Sequence, residues 1–294
     1  MTRKHLCVIL ILWCFSMPCF TQITTSIKSS DVEFGFYLFE KRNYDELFLL
    51  FNQTQPKIEQ NTPTLDSLHY LLGMSHYYMK ELEKSVFHLQ KVSNSSVFYD
   101  KSTFFSVFDY AHLGEYDKAQ TILEKYSASS PNSKYNEALT VNLAGIALLK
   151  RDLKSFDYFA KNFKFEQYYY TESYNQLMNV RNTLDNHKKK SPFVAGVFSA
   201  VIPGAGKWYA GQIGEALTAF FTVGIFSAIT AENWVKNGFY DWKTITFGTI
   251  GSIFYIGNIY GSVASVKVYR NQFNDNQNHT ILLGIHLPVR ALFE

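Results

Sequence analysis

The chain has 294 residues, enough for one or two domains, and its 47% hydrophobic content is ordinary on average but unevenly spread. A net charge of +3 excludes the electrostatic footprint of a nucleic-acid-binding protein. All three cysteines lie in the first nineteen residues, so the rest of the chain has neither disulfide nor thiol chemistry.

Residues 1–21 have the three-part form of a secretory signal peptide. A basic start (Arg3-Lys4-His5) precedes an apolar run over 6–15, and a polar, small-residue region, SMPCFTQ, follows. The apolar run is too short to span a bilayer comfortably. Cleavage before Gln22 removes Cys7, Cys14 and Cys19 together. Acylation at Cys19 is disfavoured by Pro18, and an uncleaved anchor stays open. In each case the positive start stays inside and the following domain is exported.

From 31 to 187 the pattern is helical and repeats. Each of four units holds two apolar helical stripes around a polar turn. The turns align as Arg42-Asn43-Tyr44-Asp45-Glu46-Leu47, Lys80-Glu81-Leu82-Glu83-Lys84-Ser85, Gly114-Glu115-Tyr116-Asp117-Lys118-Ala119 and Lys150-Arg151-Asp152-Leu153-Lys154-Ser155. Their last residues are 38, 34 and 36 apart, a period that reads as a helical solenoid. The third unit, with GEYDKA at its turn, Leu123, Tyr126 and closing Pro131, resembles tetratricopeptide repeats. So does the second, with Leu72-Gly73 and a small Ser85. The first and fourth depart from that pattern, with Leu47 at the small position and no closing proline. The resemblance implies an all-α solenoid over 31–187 that presents a concave groove to a protein partner. In the family's register Tyr70, Met74, Tyr77, Phe104 and Phe108 line it, unless they pack between repeats instead. A further helix with Tyr170, Tyr174, Leu177, Val180 and Leu184 on one face closes this part.

His187-Lys188-Lys189-Lys190 is the one basic cluster. It stands directly before residues 191–270, and at that place it suits either anionic headgroups or a solvated helix end. The stretch 213–231 has one charge, Glu215, in its first turn, and 244–266 has none. At 1.5 Å per residue each is long enough for a hydrocarbon core of about 30 Å, so the two predict a transmembrane hairpin. Trp234, Phe239, Tyr240 and Trp242 lie between them and suit the interface. Upstream, 192–201 is apolar but short. The segment carrying Pro203, Gly204, Gly206, Lys207, Trp208, Tyr209 and Gly211 breaks it, leaving a re-entrant helix or a short third span. This is no phosphate loop, because Val201 and Trp208 stand where the Walker pattern needs glycine and Ser/Thr. On Pro203, Gly204, Gly206, Tyr209 and Gly211, the stretch resembles the two-transmembrane-helix domain group of bacterial membrane proteins. Lys207 departs from the glutamine common there, and the resemblance implies architecture but no activity. Gly257, Gly261 and Ser265 recur every four residues, the pattern of close helix packing within the hairpin or between protomers. The tail 271–294 opens polar and ends apolar around Pro288, which reads as a strand or a membrane-lying segment.

No HExxH and no nucleophile arrangement can be argued from spacing, so we expect no enzyme, cofactor or metal. His69 and His76, seven residues and about 10 Å apart on one helix face, read as packing or surface residues. The expectation is an exported, membrane-anchored repeat scaffold for a protein partner, on the periplasmic side of a bacterial inner membrane. The alternative is an accessory factor for membrane-protein assembly or a small transporter component acting through the hairpin.

Overall fold

A computed structural model describes residues 29–54, 63–129, 134–161, 163 and 168–293. The expected leader, with its three cysteines, lies outside the described residues. Within them the regular structure is entirely helical. The chain divides into two compact units, one up to Asp109 and one from Tyr110, so the division falls inside a helix well before the apolar stretch.

The first unit contains α1 (Ser29–Glu40), α2 (Tyr44–Thr54), α3 (Pro63–Tyr78), α4 (Leu82–Leu89) and most of α5 (Tyr99–His112). Its core is Leu47, Leu68, Leu71, Met74, Leu89, Phe104 and Phe105, each essentially fully buried. Gly73 lets α3 and α4 touch: a Cβ there would lie 2.5 Å from Leu89 Cγ and 3.1 Å from its backbone nitrogen.

The four polar turns share one geometry. Arg42, Lys80, Gly114 and Arg151 all take a left-handed backbone, with φ of 59°, 62°, 77° and 61°. After each, an amide reaches back to close the preceding helix: Asn43 to Leu38, Glu81 to His76, Glu115 to Tyr110 and Asp152 to Ala147. Three of the four left-handed residues are not glycine, and the pair of closing hydrogen bonds offsets that conformational cost. Counted on these residues the spacings are 38, 34 and 37. The fourth turn is therefore displaced by one from the sequence alignment. Five residues on stand Leu47, Ser85, Ala119 and Phe156, all fully buried. Ser155, aligned with the small residues, instead takes part in a cap: its amide donates to Asp152 Oδ1 at 3.0 Å.

The second unit holds α6 (Tyr116–Ser129), α7 (Asn136–Leu149), α8 (Leu153–Ala160), α9 (Tyr168–Asn186), α10 (Pro192–Val201), α11 (Ala205–Ala210), α12 (Ile213–Asn237) and α13 (Trp242–Phe293). Arg181 joins α9 to α8 through both oxygens of Asp157, at 3.0 and 2.9 Å. The tail is neither strand nor surface segment, for α13 runs unbroken through 52 residues. Ile281, Ile285, Pro288 and Val289 form a buried stripe at helical spacing. Ile285 packs where a Cβ on Gly145 of α7 would stand, and Leu177 of α9 packs on Gly284. Pro288 removes an N–H whose acceptor in a regular helix would be the Gly284 carbonyl, and the helix nevertheless continues to Phe293, with Pro288 part of its buried stripe.

We expect Gly73→Ala to lower the melting transition by about 1–3 kcal/mol of stability through overpacking on Leu89. Gly224→Ala, where an added methyl meets nothing within 4 Å, should be neutral or stabilising. Circular dichroism melts of the two variants check this.

Candidate functional site

The densest polar construction in the second unit is the reversal between α10 and α11. Ser191 caps α10, accepting from the Val194 amide, and Pro192 occupies the first turn, where its missing N–H costs nothing. The helix ends after ten residues at Val201. Gly204 then takes φ of +86° and α11 doubles back along α10, with Gly206 against Ala195 and Tyr209 against Phe198. The backbone freed at the turn is fully engaged. The Gly204 amide donates to Asn258 Oδ1 at 3.1 Å, and the Gly206 amide to Ser199 Oγ at 2.9 Å. Asn258 Nδ2 donates to the Ser199 carbonyl at 3.3 Å. The Ser199 and Ser262 hydroxyls are 2.6 Å apart. Tyr255 donates to the Ala200 carbonyl at 2.6 Å, and the Ser191 amide to Tyr209 Oη at 3.0 Å. Ala195, Ala210 and Val266 form the apolar side of this joint, with Tyr209 against them. Neither glycine has room for a side chain. A Cβ on Gly206 would stand 2.0 Å from the Ala195 carbonyl oxygen, and one on Gly204 2.2 Å from that of Ala216. Gly211, at φ of +96°, ends α11, and Pro203 fills the turn half-buried. Trp208 points outward, exposed by 64%.

Lys207 lies at one end of a groove of about 850 Å³ between α12 and α13. Its ammonium pairs with Glu215 at 3.2 Å, and its stem crosses Gly261. Thr218, Thr222, Phe254, Gly257 and Asn258 line the remainder. The expected contact of Gly257, Gly261 and Ser265 is thus split. Ser265 is buried and Gly261 meets the lysine, while Gly257 faces the open groove with nothing within 4 Å. Four residues advance a helix by about 400°, so such a row drifts by about 40° per step and leaves a single contact face. Within the hairpin the close approaches fall at Gly251 on Phe226 and Gly248 on Thr230, each 3.3 Å from a would-be Cβ.

The five residues expected to line a partner groove do not present one. Tyr70, Met74, Phe104 and Phe108 are buried and Tyr77 is half-buried. Tyr70 stacks on Phe98 with centroids 4.3 Å apart, and Tyr77 meets Phe105 edge-on at 4.8 Å. They pack between helices, because large aromatic side chains in this part gain more from that burial than from solvent.

Beside them is a histidine cluster that sequence spacing alone did not assemble. His69 and His76 of α3 are both buried, and His88 of α4 lies against both. His69 Nδ1 and His88 Nδ1 are 3.1 Å apart, so one ring donates and the other accepts. His76 Nδ1 lies 2.8 Å from Glu81 Oε2. Among the described residues no group of three or more His, Cys, Asp or Glu is arranged to hold a metal. Burial, then the Lys91 charge, pushes His69 down to about 4, opposed by Asp66. Burial, then His69, His76 and Lys91, pushes His88 down to about 3. On α5, Asp109 is fully buried, and burial pushes its carboxyl up to about 7, opposed by the Ser85 hydroxyl.

Comparisons with protein-family models, with curated proteins and with solved structures find no match for this chain.

Gly206→Ala and Gly204→Ala should each disrupt the reversal, read as loss of monodisperse protein or a lowered melting transition, whereas Gly257→Ala should be tolerated. The pH dependence has two opposing parts. Below about pH 6.5 an unfolded histidine takes up a proton that His69 and His88 refuse, so stability falls with acidification. Asp109 keeps its proton where the unfolded chain has lost it, so its contribution falls as pH rises from about 4 through 7. His69→Gln with His88→Gln should therefore flatten or invert the stability slope between about pH 5 and 6.5. Asp109→Asn should raise stability at pH 8 relative to wild type. Denaturant melts across that range check both signs.

Proposed function

We propose that the chain is an integral membrane protein in which 191–270 is the embedded module and the preceding helices form an exported scaffold for a protein partner. One observation carries the membrane part. α12 is long and apolar enough to cross a bilayer, and only 11% of its most apolar window is buried by the rest of the protein. Leu217, Phe220, Phe221 and Ile225 face outward on it, as do Ile253 and Ile256 on α13 and Phe193 and Val201 on α10. Contiguous apolar surface of that kind is unfavourable in water and neutral in hydrocarbon.

The re-entry fits the same solvent. Ten residues of α10 rise about 15 Å, half the hydrocarbon thickness, so its turn would fall at depth, where every backbone group needs a protein partner. Run 244–266 is the second crossing in this reading. Its Gly, Ser, Thr, Asn and Tyr residues lower its hydropathy below that of α12, as expected for a helix that satisfies a buried turn. The interfacial aromatics Trp234, Phe239, Tyr240 and Trp242 are all exposed at the hairpin tip.

For the scaffold part, Phe34, Tyr37 and Tyr78 are the relevant side chains in place of the expected groove set. They are aromatic, exposed on α1 and α3, and open to a partner. A second reading, an assembly factor or small transporter component working through the hairpin, is favoured by the groove ending at Lys207 and Glu215.

Carbonate extraction of membranes should leave the full chain in the pellet, and recovery in the supernatant would sink the embedded module. A cysteine introduced at exposed Lys154 should react with an impermeant maleimide in intact spheroplasts. Labelling that requires lysis would reverse the orientation.

A further inference from the structure

Four basic side chains from separate parts of the second unit converge on one concavity of about 470 Å³. They are Arg151 from the turn before α8, His187 and Lys189 from the link after α9, and Arg270 of α13. Leu153, Leu184, Phe273 and Asn274 line it too, and among the described residues no carboxylate is part of it. His187 and Arg151 are held in place. The His187 ring lies flat on Phe273, centroids 3.6 Å apart. Arg151 is fixed by neutral acceptors: the Leu148 carbonyl at 3.0 Å, Asn278 Oδ1 at 2.8 Å and Asn274 Oδ1 at 3.2 Å. Lys190, next to the concavity, stands over the Tyr269 and Tyr209 rings.

This arrangement has a charge deficit. Arg270 Nε is buried and has no hydrogen-bond partner among the described residues. An unmet buried guanidinium donor is costly, and no described acceptor offsets that cost here. Burial and then the charges of Lys190, Arg270 and Lys189 hold the His187 imidazole below its ordinary pKa, so its neighbours are cations. Like charges gathered around a concave, partly apolar wall focus a positive potential into it. Guanidinium groups are the side chains suited to bidentate contacts with phosphate oxygens.

We propose that this concavity binds a phosphate group, presented by an anionic phospholipid headgroup or by a soluble phosphate ester. The lipid source rests on the membrane reading above. On α13 the uncharged run ends at Val266, and Arg270 lies four residues further, about 6 Å, which is headgroup depth in that frame. The site also gives the basic link at 187–190 a role beyond solvation: it supplies two of the four basic groups, the others coming from α13 and the Arg151 turn.

The test uses the full chain, delipidated in a neutral maltoside detergent. One arm adds dioleoylphosphatidylglycerol or dioleoylphosphatidylcholine and counts retained lipids by native mass spectrometry. The other adds inorganic phosphate against chloride at matched ionic strength and follows the His187 ring by NMR, where a bound phosphate raises its pKa. Arg270→Gln and Lys189→Gln should each weaken binding about tenfold, the loss of one charge-assisted contact. Lys243→Gln, at the far end of α13, should not. Lys189 is exposed in the link, so its variant keeps the test valid if Arg270→Gln unfolds. Selective retention of phosphatidylglycerol supports the lipid source, and a response to inorganic phosphate alone supports the soluble one. No binding in either arm, or binding unchanged in Lys189→Gln and in folded Arg270→Gln, overturns the site. A chain that pellets in carbonate but retains no lipid and ignores phosphate loses the pocket and keeps the membrane reading. A chain released by carbonate that still binds phosphate does the reverse.

Discussion

The second unit depends on what happens to the backbone at Pro203–Gly204, where a helix ends among outward-facing apolar side chains. An amide left without an acceptor in such surroundings costs several kcal/mol. Gly204 and Gly206 avoid that cost by donating to Asn258 and Ser199, and Ser262 ties Ser199 to the long helix. Much else follows from these contacts. α13 must carry Asn258 and Ser262 four residues apart on one face, so it cannot be as apolar as α12. α10 must stay short, and α11 must return close enough that glycine is required twice. The Gly204 backbone lies against Ala216 in the first turn of α12, and Glu215 beside it pairs with Lys207.

The helical hairpins obey a simpler local rule. A left-handed residue and one long back-bond end each first helix, and the residue five positions on plugs the junction. That plug is leucine, serine, alanine or phenylalanine, so its size is set by how closely the two helices approach and not by the turn itself. The same freedom explains why buried polar groups are tolerated here. His69, His88 and Asp109 sit in the first unit with pKa values displaced away from charge by burial, and burial outweighs Glu81 at His76 as well.

Much was legible in order along the chain. Hydrophobic periodicity marked the helices, since an amphipathic stripe needs only the residues of its own segment. Polar turns at 42, 80 and 114 were found by composition. The glycines and proline of 203–211 announced a break in the helix, because few other residues tolerate positive φ or a missing N–H, but left its direction open. The fourth turn slipped by one, since Lys150 and Arg151 are equivalent in charge and only the backbone distinguishes them. The tail misled because Pro288 resembles a break, although the buried stripe it shares with Ile281, Ile285 and Val289 carries the helix through it.

What the sequence determined by itself is therefore the helical class, the positions of the turns and the apolar character of α12, all properties of neighbouring residues. What only the tertiary structure decided is which distant groups meet. Ser199 found Ser262 across 63 positions, His88 came between His69 and His76 from the next helix, and Arg270 joined His187 and Arg151 at one concavity. The aromatics expected to face a partner turned inward for the same reason. A side chain's period along its own helix shows that one face is buried, but which helix covers that face is set by packing among segments far apart in the chain.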